Sequence, residues 1–100
     1  MIVIEVTNSS AINRVGYESE DETMFVQFRS GDTVYQYDDI DADSFQSFIT
    51  APSIGRAFHM MEKTTSSEKH DSRVLEDDND FLCNSDEIID IKSELAELLS

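Results

Sequence analysis

The sequence predicts an α+β fold: a small antiparallel β-meander of three to four strands, two short helices packed on one face, and a separate C-terminal amphipathic helix. Three observations predict it. Residues 24–37 alternate with a period of two around a Ser30-Gly31-Asp32 turn, the pattern of a hairpin in a sheet. Phe45, Phe48 and Ile49, and then Ile54, Ala57, Phe58 and Met61, recur at helical spacing. Ile88, Ile91, Leu95 and Leu98 do so again at heptad-like spacing.

In chain order, Met1 to Val6 is a β-branched-rich run that suits an opening strand, broken by Thr7-Asn8-Ser9-Ser10. Residues 11–17 resume the alternation, with Gly16 at a bulge or a close approach. Glu18-Ser19-Glu20-Asp21-Glu22-Thr23 is polar enough for a turn. In the hairpin, Met24, Val26 and Phe28 share one face and Phe25, Gln27 and Arg29 the other. Gly31 is assigned the positive φ of a tight connection. Thr33, Tyr35 and Tyr37 share a face of the returning strand. Asp41 and Asp43 stand where carboxylates accept the unpaired N–H groups of a helix start. Pro52 closes that helix, Ser53 caps a second, and Gly55 marks a place where a side chain would be in the way.

From Lys63 the chain turns polar and acidic, and such a stretch is read as a mobile linker. Asn84-Ser85-Asp86-Glu87 then has the form of a capping box, opening the amphipathic helix. The plan is a domain over 1–62, a linker over 63–83 and a helix over 84–100. A helix of that length is marginal alone. Its stripe therefore docks on the domain, on a second copy or on another protein.

Twenty-two acids against seven bases give a net charge of −15. Such a chain repels phosphate backbones and lacks the counterion release that drives nucleic-acid binding, so direct binding to nucleic acid is disfavoured. The same field attracts a basic protein. The acidity is spread over the chain, with −7 through Met60 and −8 beyond it. No stretch approaches the ~20 apolar residues of a membrane span, and Met1-Ile2-Val3-Ile4-Glu5 lacks the layout of a signal segment, so a cytoplasmic location is expected. The single cysteine, Cys83, permits no internal disulfide and no multi-cysteine zinc site. His59 has no second histidine or cysteine at ligand spacing. No metal, cofactor or catalytic constellation is expected, and the chain is read as a non-enzyme.

Ser9-Ser10-Ala11-Ile12 with Val15-Gly16-Tyr17, Phe28-Arg29-Ser30-Gly31, Tyr35-Gln36-Tyr37 and 51–58 (Ala-Pro-Ser-Ile-Gly-Arg-Ala-Phe) together resemble the KTSC domain. The resemblance covers about residues 6–62, in the right order and with the right gaps. The series carries it, including a Tyr-x-Tyr centre and a Ser-x-Gly turn opening the last helix. Asp41 departs from it, since proline is common there in the family. The family is named for the C-terminus of some lysyl-tRNA synthetases and also occurs as small stand-alone bacterial and phage proteins. It implies no established activity; its association with the synthetases suggests RNA binding.

For such a role Tyr35 and Tyr37 would stack bases from an open sheet face; otherwise they form core beneath the helices with Phe45 and Phe58. The first-ranked expectation is instead an acidic protein-interaction module. Glu18, Glu20, Asp21, Glu22, Asp38, Asp39, Asp41 and Asp43 would meet a basic, nucleic-acid-handling protein and block it, in the strongest form as a DNA or RNA mimic in phage counter-defence. The alternatives are RNA binding, and assembly or homo-oligomerisation through Ile88, Ile91, Leu95 and Leu98.

Overall fold

The computed structural model describes residues 1–7, 9–60, 68–76, 81–84, 97 and 99. Up to Asn84 the described residues form strands and helices in the order β1 (Ile2–Glu5), β2 (Ile12–Glu18), β3 (Thr23–Phe28), β4 (Val34–Tyr37), α1 (Ala42–Ile49), α2 (Ile54–Met60), β5 (Glu68–His70), a 3-10 turn (Ser72–Leu75) and β6 (Phe81–Asn84). The sheet order is β5-β4-β3-β2-β1-β6. Its first five strands run antiparallel, and β6 joins β1 in parallel. The α+β reading holds, with more strands than expected.

Period-two alternation sorts the side chains into two layers. Ile2, Ile4, Val15, Tyr17, Met24, Val26 and Tyr37 face the helices and pack with Phe45, Phe48, Ile49, Ile54 and Phe58. The register shift between Ile12 and Arg14 returns Ile12 to that face, where it is buried. Val3, Phe25 and Val34 point the other way and are covered by Leu75, with Met1 and Val74 alongside. Each fully buried Val, Leu, Ile or Phe contributes about 1.5–3 kcal/mol, so the helical cover and the 3-10 cover both stabilise the sheet.

The helix ends follow the expected chemistry. Asp41 is the N-cap of α1, its carboxylate accepting from Ser44 N at 2.7 Å. The Ser53 hydroxyl accepts from Arg56 N at 3.3 Å at the start of α2. Gly16 is a close approach: a Cβ there would lie 2.5 Å from Leu75 Cδ2 and 2.7 Å from Met1 Sδ.

Four expectations are corrected. No glycine has positive φ; Glu22 (φ 52°) and Asp39 (φ 61°) take the left-handed conformation instead. The connection at Gly31 spans residues 29–33, long enough to turn without a left-handed residue. A Cβ on Gly55 would meet only Ser9 Oγ at 3.5 Å, an ordinary contact, so nothing there is in the way. The stretch expected as a linker over 63–83 carries β5, the 3-10 turn and the start of β6. Val74-Leu75 and Phe81-Leu82-Cys83 are two short apolar pieces diluted by the acids between them, and an edge strand such as β5 is held by main-chain bonds to β4 rather than by apolar burial. Asn84, expected as a helix cap, ends β6. The stripe residues Ile88, Ile91, Leu95 and Leu98 lie outside the described residues; of that segment Glu97 and Leu99 are helical, and Leu99 is buried in the main core. No helix among the described residues is long and apolar enough to cross a membrane.

Candidate functional site

The pairing register puts Glu18 beside Thr23 and Met24 beside Tyr37, so the β2–β3 turn and the β4–α1 loop emerge at one end of the sheet. They are tied together there. Ile40 N donates to Glu22 O at 2.9 Å, and the Tyr17 hydroxyl donates to Ile40 O at 2.7 Å. Thr23 Oγ1 donates to Asp38 Oδ1 at 3.5 Å, and Gln36 Nε2 reaches the same oxygen at 2.9 Å. Below them the Tyr17 ring stacks on Phe45, centroids 4.4 Å apart and planes 11° apart, a pair worth about 0.5–1.5 kcal/mol beyond its burial.

This arrangement gathers the acids expected from sequence at one rim. Three of them have local partners: Glu18 lies 3.7 Å from the N-terminal amine, Asp38 accepts the bonds above, and Asp41 caps α1. The bonds from Ser44 hold the Asp41 carboxyl below the usual carboxylate range. Glu20, Asp21, Glu22, Asp39 and Asp43 are exposed, and their side chains bond to nothing among the described residues. The rim's field is felt inside the protein. Burial first, and then the Glu22 and Asp41 carboxylates, push the Tyr17 phenol up to about 12.

Tyr35 and Tyr37 share the helix face as expected but differ in exposure. Tyr37 is buried against Phe58, with centroids 5.7 Å apart, and burial followed by the neighbouring Tyr35 raises its phenol's pKa. Tyr35 is half-buried, edge-on to Phe28 at 5.6 Å, and Lys69 Nζ sits 5.6 Å from its ring centroid. Sequence reasoning did not bring Lys69 to Tyr35, because it assigned residue 69 no partner strand.

At the opposite end of the sheet lies a polar network that the sequence reading missed. Gln27, only 2% exposed, accepts from Asn13 Nδ2 and Arg14 Nε, both at 2.9 Å, and donates to Asp32 O at 3.1 Å. Arg29 donates to Ser9 O at 2.8 Å and also to Val6 O. Arg14 and Arg29 line a groove of about 400 Å³ with Glu5, Val6, Thr7 and Asn13. The available signal was a glutamine next to Phe25 on one strand face; its pairing with Arg14 comes from the strand register. Both arginines are engaged by the protein itself, Arg14 also facing Glu76 at 3.6 Å. A second, apolar groove of about 260 Å³ runs past Pro52, Ala57 and the exposed Met60. Among the described residues no group of three or more His, Cys, Asp or Glu side chains is placed to hold a metal ion.

A family model described as the KTSC domain matches residues 8–62. An uncharacterized protein of Stutzerimonas stutzeri (strain A1501) is 33% identical over 55 residues, 55% of this chain and 76% of the relative. The matched span holds β2, β3, β4, α1 and α2, and with them the whole acidic rim; β1, β5, the 3-10 turn and β6 lie outside it.

Proposed function

The chain belongs to the KTSC domain family, and we propose that its acidic rim is a docking surface for a basic, nucleic-acid-handling protein, and that it acts by binding rather than by catalysis. The observation that carries this reading is the Ile40–Glu22 main-chain bond with the Tyr17 bond behind it, which holds two acidic loops together on a rigid sheet. Loops tied in this way lose little main-chain freedom on binding, and the summed field of their carboxylates speeds encounter with a cationic surface. In its strongest form the rim imitates a phosphate array and blocks a DNA- or RNA-binding protein, as a phage counter-defence inhibitor would.

The test is a pull-down from host lysate across a salt series, with two single charge reversals. Glu20→Lys, on the rim, is expected to weaken capture at least about tenfold at low salt, while Asp32→Lys, at the far end of the sheet, changes it little. A captured set without nucleic-acid-handling proteins, or equal effects of the two reversals, overturns the reading.

RNA binding is the second reading, and the placement of Lys69 beside half-exposed Tyr35 favours it. Against it, the lysine already occupies the ring face on which a base would stack, and Tyr37 is core. The diagnostic variant is therefore Tyr35→Ala alone; absence of a gel shift at low salt ends this reading. An assembly role for residues 84–100 has to be reconciled with Leu99, whose side chain is taken up by the chain's own core.

A further inference from the structure

The register shift between Ile12 and Arg14 leaves Asn13 as an extra residue opposite Gln27, a β-bulge, and bulges re-aim side chains. Here the bulged asparagine ties two guanidiniums together. Its amide donates to Gln27 Oε1, the acceptor that Arg14 Nε shares, and its Oδ1 accepts from Arg29 Nη1 at 3.4 Å. Arg29 also donates to the Ser9 and Val6 carbonyls. All of its acceptors are neutral. On a chain with twenty-two acids, the Arg29 charge thus has no carboxylate partner among the described residues. A guanidinium carries five N–H donors, and these bonds leave donors unused on both arginines. Arg14 faces Glu76 at 3.6 Å, looser than a hydrogen bond.

The groove of about 400 Å³ that the two arginines line is within the size of a small-molecule site. Glu5, opposite Arg14 in the strand register, lines it too; it is exposed, and its side chain bonds to nothing among the described residues. The acidic rim does not decide what binds here. At roughly 3.3 Å per residue, Arg14 lies about 13 Å along β2 from Glu18, beyond the Debye length of about 8 Å at physiological salt. The local charges decide instead. Arginines held in place by neutral anchors suit a carboxylate, which takes paired N–H donors. A dianion such as phosphate would meet Glu5 and Glu76 as well. A ligand with one carboxylate and one ammonium answers both signs on the groove wall.

We infer that this groove binds a small zwitterion of the α-amino-acid class, its carboxylate on the free donors of Arg14 and Arg29 and its ammonium on Glu5. The inference is independent of the acidic-rim reading, because it uses the other end of the sheet. Both arginines lie inside the span matched by the family model, whereas Glu5 lies before it, so the ammonium side of the groove comes from outside the matched domain.

The test uses the full chain and follows its arginine Nε–H signals by NMR at low ionic strength. L-Serine is the probe, since the groove is walled mainly by polar residues; acetate and inorganic phosphate are the comparisons, and Arg56 and Arg73 are internal controls. The expected result is a saturable shift of Arg14 and Arg29 with L-serine, Arg56 and Arg73 staying in place, and binding at least about threefold tighter than that of acetate, the worth of one exposed ion pair. Glu5→Gln, at a side chain with no bond to lose, should remove that advantage while acetate binds as well as before or better. No saturable shift, a shift shared by all the arginines, phosphate binding tighter than L-serine, or an advantage over acetate that is absent in the wild type or survives Glu5→Gln overturns the inference.

Discussion

Replacing Gly16 by alanine drives a methyl group into Leu75. The added Cβ would lie 2.5 Å from Leu75 Cδ2 and 2.7 Å from Met1 Sδ, where ordinary carbon contacts are about 3.5–4.0 Å. Met1 is only half-buried and can turn aside, but Leu75 is 1% exposed and has nowhere to go without lifting the 3-10 turn. Overpacking of this kind costs about 1–3 kcal/mol, offset by up to about 1 kcal/mol because alanine orders more readily than glycine in a strand. The net expectation for Gly16→Ala is a loss of about 1–2 kcal/mol. Leu75→Ala empties the same site and should cost about 2–4 kcal/mol, the lower end if the turn settles into the space. In the double variant the shortened side chain leaves room for the new methyl. It should then be no worse than Leu75→Ala alone, a coupling of at least about 1 kcal/mol. Urea unfolding of the four proteins, followed by circular dichroism, measures this. Exchange of the Glu76 amide, which donates to Arg73 O at 3.0 Å, separates local lifting of the turn from global unfolding. Additivity within about 0.5 kcal/mol, with the Glu76 amide unchanged in both single variants, would refute the claim that Leu75 is seated over Gly16.

Two further outcomes follow from the two ends of the sheet. The Tyr17 phenol is raised to about 12, so the native state holds its proton more tightly than the unfolded chain does. The stability this supplies is fully present below the ordinary tyrosine value near 10 and is lost as pH rises toward 12, on the order of 2 kcal/mol. Urea midpoints taken across that alkaline range should fall for the wild type and much less for Tyr17→Phe; parallel curves would reject the assignment. At the other end, Gln27→Leu leaves the Asn13 amide and the Arg14 guanidinium without their shared acceptor, a cost of about 1.5–3 kcal/mol. In a domain of this size that lowers Tm by roughly 10 °C in a thermal melt, and an unchanged Tm would show that water replaces the glutamine at no cost.

What the sequence disclosed, and what it hid, follows from the range over which each signal acts. The two faces of β3 and β4 were legible because alternation is local: Met24, Val26 and Phe28 turn to the helices and Phe25 turns away, as the pattern requires. The caps at Asp41 and Ser53 were legible for the same reason. β5 and β6 were not. A strand at the edge of an existing sheet needs one partner strand and little apolar content, and the partners of β5 and β6 are β4 and β1, far away in the chain. Leu75 was hidden more thoroughly, because two adjacent apolar residues, Val74 and Leu75, among polar ones carry no period. Only the vacancy at Gly16 shows what it is for.

The acidic residues of the site were legible one by one, but their rigidity was not. A cluster of carboxylates on mobile loops is a solvation device; on loops locked to each other it becomes a surface of defined shape. Here the lock is made by Tyr17, Ile40 and Glu22, and its two bonds run between main-chain and hydroxyl groups. Glu22 and Asp39 are held left-handed in the same two loops, a conformation that costs a non-glycine residue about 1 kcal/mol or more. The stacked Tyr17–Phe45 pair beneath offsets that cost. The tyrosine that matters most to the rim is therefore Tyr17, which lies under the loops and presents nothing to solvent. Tyr35 and Tyr37, which the sequence makes conspicuous, pack with Phe28 and Phe58 on the flank of the same core.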